Sequence, residues 1–220
     1  MSINEIIKLL STEYGSIAWR SRTDPLSELI MTILSQNTSD HNSRRAFGSL
    51  LTRFGSWEAV AEGTVEDIAE AIKLGGLARV KAPRIKKILE QIKAQRGLLD
   101  LRFLMKMPVA EAKKWLQSLP GVGPKTAACV LLFSLGKPVL PVDTHIHRVA
   151  KRLGLIDSKV LAEKAHEILG NMVPAKDVYR FHILIIAHGR MVCKAQRPRC
   201  QQCVLLKGCP TGQALLEAEM

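Results

Sequence analysis

Three features of the sequence predict an all-α protein. Apolar residues recur at helical spacing in almost every segment, cap residues and prolines stand where helices would start, and glycines stand where they would stop. No stretch alternates as a strand does, and there is no low-complexity segment or repeat of solenoid length. With 220 residues and 47% hydrophobic content, the chain can bury a sizeable core, in one domain or two small ones.

The elements follow in order. Ile3, Ile6, Ile7 and Leu10 mark an N-terminal helix. Asp24 reads as an N-cap with Pro25 at the first helical position of PLSELIMTILSQ. Leu26, Leu29, Ile30, Ile33 and Leu34 cover much of that helix's circumference, so it is expected to be buried. A further helix runs from about Asp40 to Phe54. Thr64 with Asp67 resembles a capping box for VEDIAEAIKL, which Gly75–Gly76 would end, and Pro83 fits the first turn of RIKKILEQIKAQ. VAEAKKWLQSL, TAACVLLFSL, THIHRVAKRLGL, KVLAEKAHEILG (capped by Ser158) and DVYRFHILIIAHGRMVC complete the helices. The chain is expected to pass between lobes at Gly136 to Pro141.

The stretch LPGVGPKTAACVLLFSLGKPVLPVD, Leu119 to Asp143, organises the functional reading. Gly121-Val122-Gly123 makes a tight hairpin, Pro124 opens a helix, and Lys125 sits on its first turn. Backbone N–H groups at such a helix start can hold a phosphate. Asp143 then precedes another helical pattern. Phosphate hairpin, lysine and carboxylate together point to chemistry on nucleic acid.

Charge agrees. Lys and Arg exceed Asp and Glu to give a net charge of +12, which favours a polyanionic partner. The excess is concentrated at Arg79, Lys81, Arg84, Lys86 and Lys87, and again at Arg190, Lys194, Arg197 and Arg199. No apolar run nears the ~20 residues of a membrane span, and the first ten residues lack the basic start of a cleavable signal. The expectation is a cytosolic protein, nucleoid-associated if bacterial, without a membrane partner.

Cys193, Cys200, Cys203 and Cys209 form C-x6-C-x2-C-x5-C in one short basic segment. Thiols this close cannot usefully staple a large reduced core, so metal binding is the physical alternative, either a tetrahedral zinc or an iron–sulfur cluster. Cys129, alone in an apolar helix, reads as a small core residue.

LPGVGPKTA followed by VDTHIHRVAKRLGL closely resembles the helix-hairpin-helix, Gly/Pro-rich, aspartate superfamily of DNA glycosylases. The cysteine spacing is that of the cluster loop in its endonuclease III branch, LSQNTSD resembles that branch's LS-x-Q-x-x-D helix, and GLARVKA its G-L-x-x-x-K-A loop. The match spans most of the chain in the expected order. It implies a six-helix barrel from residue 24 to 136 bearing the hairpin. Residues 1–23 and 137–220 would form a second helical lobe with a 4Fe–4S cluster on the four cysteines. The partner would be double-stranded DNA carrying a damaged base or AP site, bound by a monomer in the groove between lobes with the nucleotide rotated out.

The resemblance also implies roles. Lys125 would be the nucleophile that attacks C1′ and forms a Schiff base, after which β-elimination cuts the strand; attack needs a neutral amine, so partial desolvation of Lys125 is expected. By the hairpin alone it would be an ordinary phosphate-contacting lysine. Asp143, by itself only an N-cap, would also stabilise positive charge on the sugar and help deprotonate the lysine. Gln36, Leu77 and His145 match positions that fill the space left by the flipped base. Gly121, Val122 and Gly123 would grip the DNA backbone, as would Lys194, Arg197 and Arg199 on the cluster loop. His147, His182 and His188 are expected to be core or surface histidines.

The chain departs from the pattern beside Lys125, reading TAACV where many relatives have TANVV, and Pro124 stands where an arginine is common. Oxidised pyrimidines are the implied substrates. A mismatch thymine or uracil glycosylase of the same superfamily and a non-enzymatic hairpin DNA-binding protein are the alternatives.

Overall fold

A computed structural model describes residues 1–15 and 17–218. Among them all regular structure is helical. In chain order the helices are α1 (Ile3–Tyr14), α2 (Pro25–Leu34), α3 (Asp40–Phe54), α4 (Trp57–Glu62), α5 (Val65–Ala71), α6 (Ala78–Arg96), α7 (Val109–Gln117), α8 (Pro124–Phe133), α9 (Thr144–Arg152), α10 (Ala162–Met172), α11 (Val178–Met191) and α12 (Pro210–Glu217). The chain divides into two compact units, one of residues 1–20 with 138–220, the other of residues 21–137.

The continuous unit is built on α2. Asp24 Oδ1 accepts from the N–H groups of Leu26 (3.1 Å) and Ser27 (3.0 Å), starting the helix as its sequence predicts. Every α2 residue except Met31 is buried, because α8, α3 and α6 all pack against it. α8 is buried from Thr126 to Phe133. Between Trp57 and Ala71 the chain breaks at Gly63, where a Cβ would come within 3.1 Å of Phe54 Cζ and 3.3 Å of Ala59 O. Thr64 restarts it, its Oγ1 accepting from Asp67 N at 3.0 Å.

Two expected boundaries move. Pro83 does not open a helix; α6 begins at Ala78 and carries the proline inside it. The helix there is held from elsewhere, by buried contacts of Lys81, Ala82 and Ile85, so it tolerates the missing N–H. α5 already ends at Ala71, and a 3-10 turn, Lys73–Gly75, carries the chain into the glycine pair.

In the discontinuous unit, α1 packs along α11 and α11 along α9, with Ile3, Ile6, Ile7 and Leu10 buried. Tyr14 OH lies 3.1 Å from His188 Nδ1. Ser158 caps nothing: Asp157 takes the turn instead, its Oδ1 accepting from Lys159 N at 2.8 Å, and α10 starts at Ala162. Among the described residues no helix is long and apolar enough to cross a membrane.

Candidate active site and nucleic-acid interface

In the continuous unit the hairpin joins α7 to α8. Gly121 adopts φ +70°, the left-handed region that a side chain resists. Val122 is buried and its N–H bonds back to Leu119 O at 3.2 Å, so this residue anchors the hairpin while the glycines on either side reach outward. The α8 ladder begins with Ala127 N to Gly123 O at 3.0 Å, which leaves the amides of Lys125 and Thr126 ahead of it. Lys125 is exposed.

Gln36 lies half-buried just past α2. Its Oε1 accepts from Arg84 Nη1 at 2.8 Å, and its Nε2 stands 3.5 Å from Thr126 Oγ1, next in chain to Lys125. Leu77 follows Gly76, with φ +52° where only glycine is comfortable, and its side chain is 52% exposed. An exposed leucine in a strained conformation has no packing explanation.

In the discontinuous unit Asp143 caps α9, its Oδ1 accepting from Ile146 N at 2.8 Å; Oδ2 takes no part in the cap. His145 is half-buried, its Nδ1 3.1 Å from Arg148 Nη2. A guanidinium can only donate, so Nδ1 is the acceptor and the ring proton resides on Nε2. His147 and His182 bond to the carbonyls of Val160 and Pro141. His188 is buried, and that burial pushes its ring down to about 4.

Cys193, Cys200, Cys203 and Cys209 line one depression under α9, α11 and α12. None is disulfide-bonded. Among the described residues no group of three or more His, Cys, Asp or Glu side chains is set to hold a metal ion. Donors are already aimed at them: Arg152 Nη1 lies 3.3 Å from Cys193 Sγ, and Gly212 N 3.3 Å from Cys209 Sγ. Burial, then the neighbouring cysteines, push the Cys203 thiol up to about 11. Arg152 also holds the loop by donating to Lys194 O (2.6 Å) and Ala195 O (3.0 Å), and Arg148 donates to Cys193 O (3.1 Å). The side chains of Lys194, Arg197 and Arg199 are exposed on this loop.

Residues 30–175 match the HhH-GPD superfamily of base excision DNA repair proteins. An endonuclease III of Thermotoga maritima is 35% identical over 85% of this chain and 83% of its own length. One from Sulfolobus acidocaldarius is 32% identical over 95% and 92%. The chain belongs to the HhH-GPD superfamily, in its endonuclease III branch. A solved non-covalent endonuclease III–DNA complex has the same fold, with a TM-score of 0.82 and 26% identity over 98% of this chain and 97% of that one. A candidate DNA glycosylase of Arabidopsis thaliana is 38% identical over 78% of this chain, which spans 59% of that longer relative.

Several residues of this HhH-GPD chain that matter to the site escape a linear reading. Lys81, counted above with the basic cluster, is 2% exposed, and its Nζ donates to Leu34 O (2.7 Å) and Gly75 O (2.9 Å). It thus ties the segment leading to Gln36 to the turn carrying Leu77. Lys86 likewise donates to Ala61 O and Gly63 O, both at 2.8 Å. The Arg79–Lys87 cluster is accordingly smaller on the surface than in the sequence. The only advance signal was Lys81's place in GLARVKA; its inward aim depends on where two distant carbonyls lie.

Proposed function

We propose that this chain is a bifunctional DNA glycosylase and AP lyase, acting on duplex DNA with a damaged base, oxidised pyrimidines by preference, or an AP site. What carries the reading is Lys125, an exposed amine on the first turn of α8 directly after a hairpin whose backbone N–H groups can hold a phosphate. The neutral amine attacks C1′, the C1′–base bond breaks, and the base leaves with a proton. The amine sheds a proton as the sugar ring opens, giving a Schiff base. Loss of a C2′ proton then expels the 3′ phosphate by β-elimination. Asp143, fixed by its own cap bond, offers Oδ2 to receive the lysine's proton and to stabilise positive charge on the sugar. DNA closing over Lys125 removes water from an amine that the protein alone leaves exposed. An endonuclease III of similar fold has been trapped as a covalent intermediate with DNA, which supports attack by a residue of this kind.

Gln36, Leu77 and His145 occupy the space of the rotated nucleotide, while the glycines of the hairpin and Lys194, Arg197 and Arg199 hold the backbone. The barrel is assigned to residues 24–136. The four cysteines suit a 4Fe–4S cluster: they are four thiols lining one depression in C-x6-C-x2-C-x5-C spacing, with N–H groups aimed at two of the sulfurs. A bound cluster would displace the thiol proton that burial, then the neighbouring cysteines, favour on Cys203. When bound, the cluster fixes the basic loop; base excision itself transfers no electron.

Borohydride added to protein and AP-site duplex should yield a covalent adduct, and Lys125→Ala should abolish it while still binding the duplex. Trapping that survives in Lys125→Ala removes the lysine from its role, and a wild-type protein that binds duplex DNA without trapping or cutting is a hairpin DNA-binding protein.

A further inference from the structure

Pro124 brings no charge to the hairpin, yet a guanidinium lies against it. Arg84 projects from α6 onto Gly121, where a Cβ would fall 2.6 Å from Arg84 Cδ and 2.7 Å from Cζ. Gly121 is therefore required twice, for its positive φ and for the room that Arg84 takes. Gln36 Oε1 holds the guanidinium from another side, accepting from Nη1 at 2.8 Å. Among the described residues no carboxylate pairs with Arg84, and Gln36 is its one hydrogen-bond acceptor. The side chain is half-exposed. Arg84 thus differs from Lys81 and Lys86 on the same helix, whose ammonium groups are each spent on two carbonyls. It is a planar cation fixed at two points, with donors left over and beside the glycine that turns the hairpin.

We propose that Arg84 binds a phosphodiester of the DNA strand that lies on the hairpin. Gln36 and Gly121 set the plane of the fork, and the remaining N–H edge meets a phosphate oxygen in charge-assisted hydrogen bonds. The positive charge that position 124 lacks is supplied from α6. Gln36 thus also orients the arginine through Oε1, while its Nε2 side is directed toward Thr126. The inference rests on the hairpin being a DNA-backbone site, as proposed above.

The test uses the full-length, metal-loaded protein and a duplex with an uncleavable abasic analogue, and it measures Kd from about 50 to 200 mM salt. Arg84→Met should flatten the slope of log K against log salt by about 0.9, one phosphate's worth. It should also weaken binding by about tenfold at a given salt. In parallel, single phosphates of the strand are replaced by neutral methylphosphonates. One position should weaken the wild type and have no further effect on the variant. If the Met variant does not fold, the same cycle is run with Arg84→Lys, which keeps the charge and loses the fork. That phosphate position should then cost the Arg84→Lys variant less than it costs the wild type. An unchanged slope, or a methylphosphonate profile identical in wild type and variant, overturns the assignment. If the wild type itself neither binds the duplex nor forms the borohydride adduct, the functional reading falls first; if it does both, only Arg84 is at stake.

Discussion

Asp143 does two things with two oxygens, and a substitution can separate them. Asn caps a helix as well as Asp does, whereas Ala gives up ~1 kcal/mol of cap. Asp143→Asn should therefore unfold at nearly the wild-type temperature and yet release base far more slowly, because the amide can neither take a proton nor balance a cation. Asp143→Ala should lose both. Thermal unfolding beside single-turnover base release checks this; an Asn variant that is destabilised like Ala, or that retains full activity, refutes the division. The same economy holds at Lys81, a cation that faces inward to join two segments. A count of basic residues would have spent it on DNA.

α2 shows how burial on all sides imposes a cost. Its first turn contains Glu28, 6% exposed, and burial holds that carboxyl above its usual 4.5, with Arg22 opposing the shift. A carboxyl whose folded value is raised stabilises the fold while protonated, and that contribution is lost as pH rises through the folded value. Glu28→Gln keeps the shape and removes the ionisation. Its gain in melting temperature over wild type should be larger at about pH 7.5 than at about pH 4.5; an equal gain at both, or a loss at the higher pH, counts against it. Helix starts were readable because caps are local: Asp24, Thr64 and Asp143 each bond an amide two or three residues on. Ser158 misled because Asp157 next to it took the turn. Pro83 misled because α6 is fixed by Lys81, Ala82 and Ile85 against other helices, and a linear pattern contains no such information. In the candidate site, the hairpin and the cysteine spacing were legible, since each is contiguous. The Gln36–Arg84–Gly121 arrangement joins residues as far apart as 85 positions and needed coordinates.

The division into two units sets what metal loss should do. The four cysteines all lie in the unit of residues 1–20 and 138–220, and the α2 core lies wholly in the other. Cys209 also caps α12 through its sulfur, at 3.3 Å from Gly212 N. Removing the metal by chelation or oxidation should bleach the protein, release iron and sulfide, and speed amide hydrogen exchange from residue 193 through α12. Protection in α2 and α8 should persist. Uniform loss across both units would show one cooperative fold, and release of zinc in place of iron would reject the cluster.

The packing of α1 against α11 has a consequence for how the chain is made. Tyr14 meets His188, so α1 docks on a helix whose contact residue lies 174 positions further along the chain. The continuous unit is fully synthesised at residue 137. During the remaining translation α1 waits with Ile3, Ile6, Ile7 and Leu10 uncovered. Nascent chains in that interval are the ones prone to sticking together or recruiting a chaperone. A ribosome stalled between α9 and α11 would thus present α1 with nothing yet to cover its apolar face.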